Sequence, residues 1–418
     1  MILMIRFLGL VVLMLLSSPC NSASSSNLTR LYENKCASEF DCSYNGVCAS
    51  SGECVCDRGW KGQYCEELKL KPARNGSGLD LLHGPKKTST WGGSVIYDKN
   101  DDLYHMYASL IGGHCGIHRW TSNSVVVHAS SSGPSDGWNF KVQDTVFGLF
   151  THEPIVARAP TGETVLYVTH YNGNAAAPSP TCNCTDGNSA SGEDGCANEP
   201  GFGINATAYT YYSSAKSPSG PWSSLVSLEH MCPGINRTDL NFAPVILKDG
   251  SVVAWTRWDI IFATNWSEPA TYADMGQAPD FAKGAPWEGE DPSAWIDKKG
   301  RFHILSHNGD RGKGGTSKDP SGDCGRHFFS STGKAGTWNV APTTLGGCAF
   351  PRTEVQWADG TTKSFYRRER PHMVLGKDGY PVAITTAVID SPDGPGSDGF
   401  TPPQRDASYT LLQEIDNS

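Results

Sequence analysis

The sequence predicts an all-β protein, a five-bladed β-propeller that follows a small disulfide-rich N-terminal module. Three observations predict it. A hairpin pattern recurs five times between residues 79 and 418. The composition has 12 tryptophans, 46 glycines, 26 prolines and only 18% charged residues, which suits short strands, many turns and aromatic clusters. Six of the 14 cysteines crowd into residues 36–65, a segment too short to bury a core without covalent staples.

Residues 1–22 have the layout of a secretory signal peptide: Arg6, an apolar run from Leu8 to Leu16, then mostly small residues from Ser17 to Ala23. Cleavage is expected near Ser22 or Ala23, and Pro19 before Cys20 makes a lipoprotein box a poor rival. Six N-x-[ST] sequons follow, at Asn27, Asn75, Asn183, Asn205, Asn236 and Asn265. With the cysteine count they point to a secreted, extracellular glycoprotein. The net charge of −9 argues against a nucleic-acid partner. No later apolar run reaches the roughly 18 residues of a membrane helix.

Cys36, Cys42, Cys48, Cys54, Cys56 and Cys65 follow the spacing C-x5-C-x5-C-x5-C-x-C-x8-C. The C-x2-C of zinc sites is missing, and the spacing by itself leaves fifteen pairings open. Residues 66–78, with Pro72, Asn75, Gly76 and Gly78, read as a linker. The propeller is therefore expected to fold without the module.

Each repeat opens on a short polar motif, runs through apolar residues to an Asp/Gly turn, and returns as a β-branched or aromatic strand. Trp91-Gly92-Gly93-Ser94 opens the first and His152-Glu153-Pro154 the second. Asn241-Phe242-Ala243-Pro244 opens the third, Glu290-Asp291-Pro292 the fourth and Glu369-Arg370-Pro371-His372 the fifth. Outer strands ahead of Gly137-Trp138, Gly220-Pro221-Trp222 and Gly336-Thr337-Trp338 bring the count toward four per blade. These tryptophans recur in step with the blades and read as inter-blade packing. Ser408 to Leu412 reads as a strand that closes the ring. Blade 2 carries a polar insert over about residues 172–203, with Cys182, Cys184 and Cys196. Seven cysteines of the mature chain lie outside the module, an odd number, and Cys324 with Cys348 is the expected pair.

First strands line a propeller's channel, so the opening motifs converge on one mouth. That gathers Glu153, Asp239, Glu290, Asp291 and Glu369, with His152, Arg257, Arg368, Arg370 and His372 nearby. Carboxylates meeting from different elements suit glycoside hydrolysis, in which one is protonated and another ionised. Trp91, Trp120, Trp258 and Trp287 offer flat faces to sugar rings. His105, His128 and His303 lie in strand patterns and read as satisfied structural residues. No metal-ligand spacing, phosphate loop or nucleophile elbow is present, so no cofactor is expected, although such propellers can hold a structural calcium ion.

Two resemblances sharpen this. Cys54-Val55-Cys56 and the ending Gly59-Trp60-Lys61-Gly62-Gln63-Tyr64-Cys65 resemble an EGF-like domain, which implies the pairing 36–48, 42–54 and 56–65. Residues 79–418 resemble the five-bladed propeller glycosidases related to glycoside hydrolase family 43, in blade layout and short motifs. That resemblance implies a carbohydrate substrate, an acid at Glu290 in Glu290-Asp291-Pro292, and a pKa-tuning role for Asp239. Blade 1 departs from the family: Trp91-Gly92-Gly93-Ser94 has no acid where the base is placed, which passes that role to Glu153 or Asp80. The same gap motivates the alternative, a catalytically inactive glycan- or protein-binding propeller with an EGF-like adhesion module.

Overall fold

Apolar strands separated by tight turns pair with their chain neighbours, and each run of three or four becomes one twisted sheet. The computed structural model describes residues 35–172, 182, 207–228, 241–257, 259–277, 290–307, 324–342, 348–351, 354–365, 367–389 and 407–418. The expected signal peptide, Asn27, Asn183, Asn205, Asn236, Asp239, Trp258, Trp287 and nearly all of the blade 2 insert lie outside them.

Five antiparallel sheets form the blades of a propeller. Blade 1 is Ser89–Asp98, Leu103–Ile111, Ser124–Ser131 and Lys141–Phe147. Blade 2 is Thr151–Arg158, Thr164–Asn172, Thr207–Ala215 and Val226–Ser227. Blade 3 is Ala243–Ile246, Val252–Trp255, Asp259–Ala263 and Ala273–Gln277. Blade 4 is Glu290–Ile296, Phe302–His307, Cys324–Ser330 and Asn339–Val340, with Phe350–Pro351 beside its third strand. Blade 5 takes Arg367–Leu375, Pro381–Ile389 and Ser408–Glu414 from the end of the chain and Gly78–Leu79 from its beginning. The expected closing strand thus joins the two ends of the propeller in one sheet.

All five hairpins stand where the repeats put them, and the gaps between blades are filled by aromatic side chains. Trp138 packs between blades 5 and 1, Trp222 between 1 and 2, Trp266 between 2 and 3, and Trp338 between 3 and 4. Blade 5 supplies no such tryptophan. In the gap between blades 4 and 5, Trp60 of the disulfide module packs among Trp295, Leu305, Met373, Ile384 and Ile415.

The module holds the implied pairing, Cys36–Cys48, Cys42–Cys54 and Cys56–Cys65. It sits at the turn ends of the blade 4 and 5 hairpins, opposite the ends that open the repeats. Lys299 reaches Asp57 at 2.8 Å, and Arg58 reaches Asp378 at 2.5 Å. Phe40 and Tyr44 both pack edge-on against Phe329. The linker reading is corrected here. Within residues 66–78, Glu67–Leu68 pairs with Trp60–Lys61, Lys71 and Ala73 donate backbone hydrogen bonds to Glu414 and Gln356, and Gly78 already belongs to blade 5. Prolines and glycines there shape a pinned strap that shares a core with the propeller.

A buried polar chain fastens the module to blade 4. Asn45 Nδ2 donates to Cys65 O at 3.1 Å, which fixes the amide's orientation, and lies 3.3 Å from His327 Nδ1. His327 Nε2 lies 2.9 Å from His303 Nδ1, and His303 Nε2 lies 3.4 Å from Asp297. Trp60 and Trp295 cover the His327 ring. Burial lowers the pKa of both histidines below the ordinary 6.5. A folded-state pKa that is depressed gives stability present above 6.5 and lost as pH falls below it. Protonation would put a hydrogen on Nδ1 of His327 facing the Asn45 amide, donor against donor. Hydrogen exchange of residues 35–70 is expected to be pH-independent in protection factor above neutrality and to lose protection below about pH 6, ahead of blades 1 and 2. Uniform loss across the chain would contradict the latch.

A fourth disulfide, Cys115–Cys182, ties blade 1 to the insert; neither residue was expected to pair with the other. Cys348 is disulfide-bonded, and its neighbour Ala349 bonds to Gly325 beside Cys324, whose side chain lies outside the described residues.

Candidate active site

The first strands break register at one matching place. Bulges fall between Trp91 and Ser94, His152 and Ile155, Glu290 and Ser293, and Glu369 and His372. At that point each blade has a residue in the left-handed region: Gly92 (φ 67°), Glu153 (56°), Asn241 (46°), Asp291 (54°) and Arg370 (53°). Proline follows directly in blades 2, 4 and 5, and leaves no N–H orphaned at the bulge. Holding non-glycine residues there costs about 1–3 kcal/mol each, and such strain collects at functional sites. Its effect is to send one side chain from each of blades 2 to 5 toward the channel axis.

Those side chains close a ring. Arg370 Nη1 donates to Glu153 Oε1 and, at 2.6 Å, to Asp291 Oδ1. Asn241 Nδ2 donates to both Glu153 oxygens at 3.1 Å, and its Oδ1 accepts from the Asp291 backbone N–H at 3.2 Å. Gly92 makes room for Arg370, because a Cβ there would lie 2.7 Å from Arg370 Cδ. The missing blade 1 acid therefore has a physical correlate: a cation from blade 5 lies over that position. Gly92→Ala is expected to destabilise the fold by about 1–3 kcal/mol, from the clash and the positive φ together. An unchanged urea midpoint would show that Arg370 has room to move aside.

Outside the ring, Glu290 is 28% exposed at its side chain. Its Oε1 meets Arg257 at 2.6 Å and its Oε2 meets His307 Nε2 at 3.3 Å. His307 is only 2% exposed, and its Nδ1 lies 3.2 Å from Asp291 Oδ2, an ionic approach rather than an aligned hydrogen bond. Burial alone would lower its pKa, but Glu369, Asp291 and Glu290 outweigh burial and raise it to about 10. Burial likewise favours the neutral form of Asp291, yet Arg370, His307 and Arg257 hold its carboxyl below the ordinary 3.8. Glu369 is buried, with Arg367 Nε at 3.8 Å.

The expected ligand contacts divide in two. Arg257 and Arg370 are in the cluster. Trp91 is buried among Ile111, Cys115 and Ile389, so its face is closed to a sugar. His152 accepts or donates at 2.8 Å to Ser124 and packs on Trp120. His372 lies 2.9 Å from Ser94, and burial pushes its pKa down to about 3. Both histidines buttress the first strands as buried neutral groups. Asp80 follows the outermost strand of blade 5 and pairs with His83 at 2.7 Å, away from the mouth. The crowding of like charges expected from the motifs is replaced by alternation of acids with Arg257, His307 and Arg370. His307 and Asn241 were not singled out as site residues. Of the sequons, Asn75 is exposed on a turn, whereas the Asn265 amide is engaged with Glu268 and Ser267. Asp291, His307 and Glu369 have ligand atoms within 4.8 Å of one another, a set that can hold a metal ion, with Arg370 competing for Asp291.

Residues 39–68 match the family model of a Teneurin-like EGF domain. No curated protein matches the chain. Among solved structures, the chain is similar to an α-L-arabinofuranosidase from Podospora anserina, at 11% identity and a TM-score of 0.49, over 83% of this chain and 98% of that one. It is also similar to a family 117 glycoside hydrolase of the marine bacterium Zobellia galactanivorans, at 12% identity and a TM-score of 0.49, over 84% and 91%. A xylan β-1,4-xylosidase from Bacillus halodurans is matched at 13% identity and a TM-score of 0.46, over 79% and 54%. The chemistry proposed below rests on the side chains described above.

Proposed function

We propose that the protein is a secreted glycoside hydrolase that cleaves glycosidic bonds at this channel mouth. The observation that carries the reading is the pair Glu290–His307, a partly exposed carboxyl group 3.3 Å from a buried imidazole whose pKa its acidic neighbours raise. Glu290 can reach a substrate, and His307 holds the proton. As the glycosidic C–O bond breaks, the proton on His307 Nε2 passes to Glu290 Oε2 and on to the leaving oxygen, and His307, left neutral, regains a proton from solvent. Asp291 and Glu369 keep His307 charged between turnovers. A second carboxylate takes a proton from the attacking water, whose oxygen joins the anomeric carbon. Glu153 serves as a buttress for Arg370.

The test is a screen of the secreted protein against aryl glycosides and plant or algal polysaccharides. Glu290→Gln is expected to lose about 10²–10⁴ in rate on unactivated substrates and less on aryl glycosides with good leaving groups. Equal activity of variant and parent would remove Glu290 from the mechanism. One observation favours a second reading, a glycan-binding propeller without turnover: Arg370 ties up both Glu153 and Asp291. No turnover on any substrate, with glycan binding retained, would select it.

A further inference from the structure

The module, the strap, blade 5 and the segment Cys348–Pro351 beside blade 4 line a half-open cavity of about 600 Å³, away from the channel mouth. Lys61, Glu67 and Lys71 stand on its module side, and Gln356, Thr362 and Arg368 on its propeller side. A space of this size accommodates a small ligand. Its charges are unevenly matched. Lys61 pairs with Glu67 at 3.1 Å, and Lys71 with Glu414 at 3.3 Å. Arg368 is fully buried, yet its acceptors are all neutral: Thr386 Oγ1 at 3.2 Å, Pro351 O at 2.9 Å and Gln413 Oε1 at 2.5 Å. These take three of its five N–H donors. No carboxylate lies within ion-pair reach of it among the described residues. Its chain neighbours differ, for Arg367 faces Glu369, and Arg370 faces Glu153 and Asp291.

A buried guanidinium without an anion is unfavourable, and an anion that reaches it gains a charge-assisted, bidentate pair. Gln413 marks the place. Its amide oxygen sits where one carboxylate oxygen would sit, and its amide nitrogen, Nε2, donates to Lys71 O at 3.1 Å across the strap. The remaining walls offer Thr362, Gln356 and the exposed Glu354, acceptors and donors suited to hydroxyls. We propose that this cavity binds an acidic sugar, whose carboxylate displaces Gln413 from Arg368 while its hydroxyls meet Gln356, Thr362 and Glu354. The site is independent of hydrolysis at the mouth. Arg368 lies on the same strand as Glu369 and Arg370, with its side chain turned to the outer cavity.

The full chain is titrated with glucuronate, glucose and inorganic sulfate by calorimetry, beside the variants Gln413→Glu and Gln413→Ala. Gln413→Glu supplies the missing carboxylate internally and is expected to weaken glucuronate binding at least tenfold while raising the melting temperature. Gln413→Ala, which clears the position, is expected to bind glucuronate as tightly as the parent or tighter. Glucose should bind at least tenfold more weakly than glucuronate. Absence of glucuronate binding, sulfate binding as tightly as glucuronate, or equal binding by the parent and Gln413→Glu would each overturn the proposal. The last outcome would place the bound sugar elsewhere, including at the mouth.

Discussion

Arg370→Met is expected to lower stability by about 3–5 kcal/mol, the usual effect of stripping one partner from a buried ion pair. Glu153 and Asp291 would be left buried with their shared cation gone, Glu153 still bonded to Asn241 and Asp291 still facing His307. The pH dependence separates this from lost packing. Asp291 has its pKa depressed in the folded parent, so its contribution is present above the unfolded value of 3.8 and fades as pH falls through the folded one. The gap between parent and variant in urea unfolding should therefore be widest near neutrality and shrink below about pH 4. A gap of equal size at pH 7 and pH 3 would mean that Arg370 acts through packing rather than charge.

Trp60→Ala should be of similar size, about 3–5 kcal/mol, because it empties a buried aromatic position between two blades. A fall in melting temperature on the order of 10 °C is expected. The loss should be felt by the propeller itself, since Trp295, Met373 and Ile384 line the vacated space. For the same reason a chain lacking residues 35–66 is expected to expose the gap between blades 4 and 5 and to aggregate. A variant whose module alone loosens, with the propeller transition unchanged, would restore the view of two independent units.

That view came from the strap's Pro, Asn and Gly content, which sets local conformation and carries no information about what the strap touches. The absent tryptophan of blade 5 was the better signal. Blades 1, 2 and 4 each show a Gly-x-Trp or Gly-Trp motif, blade 3 uses Trp266, and the fifth gap needed a filler from elsewhere. The hairpins were legible because their turns and apolar runs are local, and the disulfide pairing only through the resemblance to an EGF-like domain, since the spacing itself leaves fifteen pairings open. That Glu153, Asp291 and Arg370 meet was legible because the repeats superpose them. His307 was hidden by distance along the chain. It stands opposite Glu290 in the ladder, and counting outward from the turn at Lys299-Gly300 would have reached it, allowing for one bulge. The identity of its role was not local, since its charge depends on Glu369 of another blade.

The central claim is that a proton is stored at the mouth on His307, against Glu290. It is tested most directly by titrating the protein with isotope-labelled histidine and following the His307 imidazole by NMR, with His307→Gln to identify its signal. A raised folded-state pKa gives stability present below the ordinary 6.5 and lost as pH climbs toward about 10. The account predicts an imidazole that carries both protons at pH 8 and loses one only near pH 10, as the mouth loosens. An imidazole that titrates at or below the ordinary value of 6.5 would contradict it, and would leave Glu290 without the proton donor on which the proposed hydrolysis depends.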